Sequence, residues 1–397
     1  MTNSGGVLQG IKVLEMGSAI AVPWAGGILA DQGADVIKIE PPGIGDVLRY
    51  IGSNRNGVGA MWQGTNRGKR SIAIDITKPE GLEVALQIAA DVDVVVHNFR
   101  PGVAERLGIG YEQVKALNNT VVYMSVSGFG DTGPYANKRA YDNVVQAFSG
   151  LAMNETDAPD DEPRQSYQVL SDKLSALTAS QAITAALFAR ERGQGGQEIT
   201  MSMVDACVSF LWMDGSQTAS FVGEGANLGV QPARGVRLIE FANGWGQAAP
   251  LTDSEFFGLF RAFDEDVSND PLLASVMDRM TNKDYVAEKT QALYVKAKQY
   301  DVDEAIARME KEDVPCGKAM YLEDLPSHPQ MVAMDSFVNT EHPVGGTMCE
   351  PRNPARFKST PSPDPKPSPM LGEHTEQVLG QYGFSEKLVS LKNAGVY

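Results

Sequence analysis

Residues 11–42 restrict the fold more than any other part of the chain. They read IKVLEMG, then AIAVPWAGGILADQGA, then DVIKIEPP: a strand-like apolar run, a helical run of small residues and a second strand-like run, all within about thirty residues. This is a βαβ unit. It commits this part of the chain to an α/β architecture with parallel strands. Such units often open nucleotide-binding domains, but the glycines are wrongly spaced for a dinucleotide turn. Gly17 is followed by Gly26 and Gly27 rather than by a G-x-G-x-x-G pattern, which disfavours a nicotinamide enzyme. Glu40 closes the second strand and could hold a ribose, although an acidic strand end is more often simply solvated.

A chain of 397 residues calls for two domains, or one large domain with a substantial insertion. Hydrophobic residues at 43% and charged residues at 21% are ordinary for a soluble globular protein, and no apolar run is long enough to cross a bilayer. The start, MTNSGGVLQG, has no basic region followed by an apolar stretch, so a cytoplasmic location is expected. Three widely spaced cysteines, Cys207, Cys316 and Cys349, argue against a disulfide framework and against a zinc site. A net charge of −16 argues against general nucleic-acid binding and makes any anionic ligand depend on local Lys and Arg.

Such local cations are present. Lys38, Arg49, Arg67, Lys69, Arg70, Arg100 and Arg106 fall at predicted strand and helix ends, where an α/β sheet collects ligands and where arginine can pair with phosphate. Further on, VVYMSVSGF reads as a strand, Gly130, Gly133 and Pro134 mark a loop, and Tyr141 and Asp142 open a helix. Next comes YQVLSDKLSALTASQAITAALFARER, in which Asp172 stands where an extended segment becomes a long helix. A carboxylate there meets free backbone N–H groups and the positive end of the macrodipole, which favour its ionised form. Taken alone, such a residue is more often just a helix cap.

RGQGGQEITMSM then reads as a turn and strand, and VDACVSFLW as a helix. The Gly-rich stretch FVGEGANLGVQPARGVR is a linker or binding loop. A second region contains FANGWGQAAP as a strand pair, three helical patterns and a strand at VPCGKAM. Beyond Leu325 a Pro-rich path, STPSPDPKPSPM, is expected to lie extended on a surface, and EHTEQVLGQYG and SEKLVSLKNAG to close the chain as short helices. The expected boundaries are 1–222 for the N-terminal part of a large α/β domain, 223–325 for a small α+β domain with its linkers, and 326–397 for a segment completing the large domain.

In order and spacing, GADVIKIE, NRGKRSIAIDITKPEG, HNFRPGVAERLGI, SVSGFGDTGPYA, AYDNVVQAFSG, the Asp172 segment, GQGGQEITMSMVDA, VPCG and LGEHTEQVL make this chain resemble the family III CoA-transferases. That group includes the formyl-CoA and crotonobetainyl/carnitine CoA-transferases. The resemblance runs nearly end to end. It implies a Rossmann-like large domain built from both chain ends, a small domain between them, and a homodimer of two interlocked chains. It also implies an enzyme that moves CoA from an acyl-CoA donor to a carboxylic acid acceptor. Coenzyme A is then a substrate thioester, with no tightly bound cofactor and no metal. By family position Asp172 is the catalytic aspartate, with Tyr141 and Asp142 near the thioester and Asp142 as a polar organiser. Lys69, Arg70, Asn98, Phe99, Arg100 and Arg106 would meet the CoA phosphates and adenine, and Lys38 and Arg49 are further candidates.

Three departures bear on the substrate. Ile20 stands where the formyl-CoA enzymes have a glutamine. Ser171-Asp172-Lys173 replaces their Gly-Asp-Ser. Their uninterrupted glycine run is here scattered as Gly223, Gly225, Gly229 and Gly235. Two rival readings stay open: an α-methylacyl-CoA racemase, which needs a histidine where Tyr141 stands, and a non-catalytic CoA-binding protein. Among the four histidines, His97 is expected at a strand end on the CoA side and His374 near the closing helices.

Overall fold

The computed structural model describes residues 5–155, 162–227 and 236–397. Of the scattered glycines, Gly229 and Gly235 lie outside the described residues. The chain divides into two compact units, Met1–Val230 with Ala333–Tyr397, and Gln231–Val332.

The first unit is built on a six-stranded parallel sheet. Its strands are β1 (Lys12–Met16), β2 (Asp35–Glu40), β3 (Arg70–Ala73), β4 (Val94–His97), β5 (Val122–Ser127) and β6 (Gln197–Ser202), in the order β3-β2-β1-β4-β5-β6. This is the doubly wound order of nucleotide-binding folds. The central strands are continuous Val, Ile and Leu runs because both of their faces are covered. On one face Val13, Val36, Val94, Val122 and Val126 pack with helices α1 (Ala21–Asp31), α5 (Leu170–Ala189) and α6 (Met203–Gly215). On the other, Leu14, Ile37, Ile72, Val95 and Tyr123 pack with α3 (Pro79–Ala89) and with Val378, Leu379, Leu391 and Val396 from the C-terminal end.

Helices α1 and α5 meet through small residues, and α1 also approaches strand β1 and helix α2 (Ala60–Asn66) closely. A side-chain carbon at Gly26 would lie 2.0 Å from the Glu15 carboxylate, and one at Gly27 would lie 2.6 Å from the Thr65 carbonyl. These glycines therefore serve helix packing and are not a phosphate turn.

The Pro-rich path is extended as expected. The Pro369 carbonyl accepts from the Trp62 indole, Gly68 N–H donates to the Pro367 carbonyl, and the Ser368 N–H donates to the Gln63 amide. Helices Thr375–Gln381 and Leu388–Asn393 follow. An antiparallel hairpin, Phe337–His342 with Gly346–Pro351, was not expected, because FVNTEH and GTMCEP lack the apolar alternation that signals a strand.

The second unit has its own core. Strands Ile239–Phe241, Gly244–Ala248 and Cys316–Lys318 form an antiparallel sheet, packed on Phe256, Phe260, Phe263, Leu293 and Met309. The long helical pattern of residues 283–312 is two helices, Lys283–Ala297 and Val302–Lys311. Asp301 separates them by accepting hydrogen bonds from the Asp303 and Glu304 N–H groups, an N-cap that starts the second helix afresh. Among the described residues no helix is long and apolar enough to cross a membrane.

Candidate active site

In a doubly wound sheet the strand order reverses between β1 and β4, and the loops leaving these two strands part to open a crevice. The loop after β1, residues 17–20, is held on every side. The Lys38 ammonium donates to the Gly17 carbonyl at 2.6 Å. The Asn98 side chain accepts from Ser18 N–H at 3.0 Å and donates to the Ser18 carbonyl at 2.9 Å. The Ala19 N–H donates to the Asp46 carboxylate at 2.9 Å. Ala19 has φ 62°, a left-handed conformation that costs an L-residue roughly 1–2 kcal/mol. Ile20 packs with Leu48 and Trp62, and α1 then begins at Ala21.

No side chain caps the start of α1, which leaves its first N–H groups available. One of them, that of Ala21, lies near enough to the Asp172 carboxylate to favour its anion. Asp172 is the third residue of α5, and no side chain from its own N-cap position, Val169, caps that helix. The side chain faces the start of a different helix. Its own N–H group donates to the Asp142 carboxylate at 3.0 Å, so Asp142 supplies α5 with a cap from outside.

Asp142 opens helix α4 (Asp142–Phe148). Its second oxygen accepts from the Gln146 amide at 2.6 Å, one helical turn on. The same Gln146 donates to the Gln168 carbonyl at 2.9 Å and accepts from Ser166 N–H at 2.9 Å. Gln146 thus anchors the segment that leads into Asp172.

The electrostatics run against expectation. Burial pushes the Asp172 carboxyl up from 3.8 to about 7, the Asp142 charge adds to this, and the Ala21 N–H only partly opposes it. A helix N-terminus favours the anion, but here desolvation and a like charge outweigh it. Behind the pair, the buried Cys207 thiol of α6 is also pushed up, first by burial, with the two carboxylate charges contributing. No histidine is among the groups that perturb Asp172. Tyr141 is 74% exposed and stands outside the carboxylate pair.

The expected CoA-binding residues separate into two groups. Lys38 and Lys69 are both fully buried and tied to one carboxylate. Lys38 lies 2.9 Å and Lys69 2.7 Å from the two oxygens of Glu15, which is itself fully buried. Lys38 also pairs with Asp46 at 3.0 Å, and Lys69 with the Pro23 carbonyl and the Asn66 amide. Burial acts against both ammonium charges. In Lys38 the carboxylates Glu15, Asp46 and Glu40 prevail and hold the proton, while burial brings Lys69 down to about 8. Neither ammonium is exposed in this chain.

Arg49 grips Glu40 through two nitrogens, at 2.8 and 2.7 Å, and lies over the Trp62 ring. Glu40 consequently serves structure here rather than a ribose. Burial alone would raise its carboxyl, but the Arg49 hydrogen bond, with Lys38 and Ser71, holds it below its ordinary value. Arg70 similarly grips Asp35, and Asn98 is occupied by Ser18.

Arg100 and Arg106 are exposed. Arg100 lines a cleft of about 170 Å³ at the ends of β4, β5 and β6, with Phe99, Ser127, Thr200 and Ser202. Phe99 stacks on His97 with centroids 5.0 Å apart. His97 ends β4 and burial lowers its imidazole to about 4, keeping it neutral. His374 lies at the start of the helix Thr375–Gln381, where its backbone N–H donates to the Ser71 carbonyl.

A larger cavity, about 1680 Å³, runs along α1 and α5 beside Trp24, Leu177 and Phe188. Ile20, Gln168 and Lys173 line it but Asp172 does not, so this space is not where the carboxylates meet.

Sequence reasoning did not find Gln146, Asp46 or the Ala21 N–H. The four-residue spacing from Asp142 to Gln146 was a usable signal for the first. Nothing local marks the other two.

The model of CoA-transferase family III matches residues 8–375. The chain is 32% identical to succinate–glutarate CoA-transferase of Agrobacterium fabrum, covering 96% of this chain and 97% of that protein. It is 30% identical to formyl-CoA:oxalate CoA-transferase of Escherichia coli O157:H7, covering 96% of each. The crystal structure of a CAIB/BAIF family protein from Brucella suis superposes with a TM-score of 0.82 at 30% identity, covering 95% of this chain and 99% of that one. With the family model spanning nearly its whole length, this chain belongs to CoA-transferase family III and is an enzyme of the CoA-transferase type.

Proposed function

We propose that the enzyme transfers CoA between carboxylic acids with Asp172 as its nucleophile. The observation that carries this reading is the Asp172 carboxyl itself: at the switch point beside Asp142, which accepts from the Asp172 N–H, and raised to about 7. A carboxylate poised near neutrality is ionised often enough to attack and is more nucleophilic than an ordinary aspartate.

Asp172 attacks the thioester carbonyl of the donor. The C–S bond breaks, CoA leaves as thiolate, and a mixed anhydride forms. The thiolate then attacks the aspartyl carbonyl, releasing the donor acid as its carboxylate and leaving an aspartyl-CoA thioester. An acceptor carboxylate displaces the thiolate to form a second anhydride. Thiolate attack on the acceptor's carbonyl yields the new acyl-CoA and frees Asp172. No proton is consumed and no ATP or metal enters. Each attack on the aspartyl carbonyl places negative charge on the oxygen that the Ala21 N–H already faces, which is the geometry of an oxyanion donor. Asp142 holds the backbone of Asp172 and thereby its aim.

Exposed Arg100 and Arg106 are the proposed phosphate contacts, with Phe99 beside them. The acceptor is proposed to be a dicarboxylic acid, since the relatives above are named for succinate and glutarate, or for oxalate. The active form is proposed to be an interlocked homodimer, a reading supported by the apolar cavity along α1 and α5. The cytoplasm is the proposed compartment, in keeping with three free thiols.

Incubation with acyl-CoA followed by hydroxylamine or borohydride tests the mechanism. The expected outcome is a covalent derivative at Asp172 in the wild type and, in Asp172→Ala, a loss of at least about 10⁴-fold in transfer. Deuterium exchange at the α-carbon without trapping would instead indicate a racemase. Full transfer by Asp172→Ala would end the proposal.

A further inference from the structure

Gln146 is a buried amide to which the transfer steps assign no task. It stands on α4 at 2% exposure, with both of its N–H directions and its oxygen in use. The nitrogen donates to one Asp142 oxygen at 2.6 Å and to the Gln168 carbonyl at 2.9 Å. The oxygen accepts from the Ser166 N–H at 2.9 Å. An amide supplies the two donors and the acceptor that this arrangement needs, whereas a carboxylate lacks the donors and an apolar side chain lacks all three. Helix α4 is itself anchored, since the adjacent Val145 is fully buried in the core cluster that also takes Ala176 and Ala179 of α5. Gln146 therefore holds residues 166–168 against a fixed helix.

Two sets of hydrogen bonds lead from this amide to Asp172. Along the chain, the Gln168 carbonyl that accepts from Gln146 also accepts from the Leu170 N–H at 2.8 Å, where α5 begins. Through space, the other oxygen of Asp142 accepts from the Asp172 N–H at 3.0 Å. A further tie between α4 and this segment, from the Gln165 amide to the Asn143 carbonyl at 2.9 Å, is exposed, so water competes for it. We infer that Gln146 is a positioning residue for transfer: by joining Asp142 to the segment that enters α5, it fixes the Asp172 backbone from two sides and so sets the line along which the carboxylate meets a thioester. The inference rests on the reading of Asp172 as nucleophile.

At 2% exposure Gln146 is closed to substrate, and its removal leaves substrate binding in place. What changes is how often Asp172 stands in an attacking geometry. Reacting atoms must come within about 3–3.5 Å in the right line, and a displacement of about 1 Å can cost on the order of a hundredfold in rate. An amide that merely stabilised the fold would behave differently. Its loss would lower the fraction of folded enzyme, while each folded molecule reacted at the wild-type rate.

The test follows covalent labelling of Asp172 in time, in the full-length enzyme, by mixing with an acyl-CoA that the wild type turns over, succinyl-CoA first, and quenching with hydroxylamine. Gln146→Met keeps the length of the side chain and loses all three hydrogen bonds. Its labelling rate is expected to fall about tenfold to a hundredfold, with the final extent of labelling as in the wild type. Its kcat should fall in parallel, while KM for acyl-CoA changes less than about threefold. Gln146→Asn is one methylene too short to span all three partners. Its labelling rate should fall about threefold to tenfold, and it serves where Gln146→Met does not fold. A labelling rate within about twofold of the wild type in the folded variant overturns the inference. So does a loss confined to the final extent of labelling. Wild-type labelling at Asp172 with unchanged rates in the variants sinks only the role of Gln146, whereas a wild type that turns over acyl-CoA without labelling at Asp172 sinks the nucleophile.

Discussion

Two clusters of ionisable groups flank the loop of residues 17–20, and they are built on opposite rules. On one side Glu15, Lys38, Lys69 and Asp46 interleave two positive and two negative groups, fully buried or nearly so. Each charge has an opposite partner at hydrogen-bonding distance, so the burial of each is compensated. On the other side Asp142 and Asp172 are two carboxylates whose contact is made through a backbone N–H, and no cation is among the groups that perturb Asp172. The first cluster is charge-paired and holds the loop in place. The second is left uncompensated, and its carboxyl is displaced to about 7 as a result. Unsatisfied charge of this kind marks a site of chemistry, whereas buried charge that is satisfied marks structure even when every residue in it resembles a ligand contact.

The contrast can be broken at several points. Removal of Lys38 should have the largest effect after loss of the nucleophile itself. Lys38→Met leaves one oxygen of Asp46 and one of Glu15 without a cation, and the enzyme should lose about 3–5 kcal/mol of stability, read by urea denaturation. A small loss there would show that the network is not structural.

Asp172→Asn should act in the reverse sense. A carboxyl raised in the folded state binds its proton more tightly there than in the unfolded chain. The aspartate therefore destabilises the fold progressively as pH rises from its unfolded value, near 4, through about 7, and the cost is fully present above that. At pH 8 the asparagine variant should be more stable by roughly 2–4 kcal/mol, with the difference vanishing below the unfolded value. Thermal melts across that range check this, and an equal difference at acid pH would point to another cause.

Arg100→Ala at the cleft, and Arg106→Ala, should each raise KM for acyl-CoA about tenfold with kcat little changed, as expected for a phosphate contact made equally in ground and transition states. Salt should weaken binding in the wild type more than in either variant. The smallest effect is expected from Asp142→Asn. It retains an acceptor for the Asp172 N–H but removes the like charge, so the Asp172 carboxyl should fall and the acid limb should move to lower pH by up to about one unit. A limb that moved upward would show that Asp142 does not act on Asp172 through its charge.

Several elements could be read from local pattern. The βαβ start, the strand at residues 122–127 and the long small-residue helix with Asp172 in its first turn all follow from periodicity, which acts over neighbouring residues. The hairpin at Phe337–Pro351 could not be read that way, since its strands pair along their edges with little apolar alternation. The pair Asp142 and Asp172 was legible as two positions of interest. Its geometry was not, because the hydrogen bond between them spans thirty residues.

The basic residues show where sequence stops. By itself the chain determined an α/β fold with cations at strand ends and an aspartate at a helix start, since these depend on short-range spacing. Whether a cation faces solvent or a buried carboxylate depends on contacts made across the chain. Lys69 meets Glu15 from fifty-four residues away, and Arg49 reaches the Pro369 carbonyl from three hundred and twenty. Tertiary structure alone decided that Lys38 and Lys69 are consumed within the core while Arg100 and Arg106 stay free. It also decided that Asp172 is raised rather than held ionised, because desolvation is a property of everything packed around a group and not of the residues beside it in sequence.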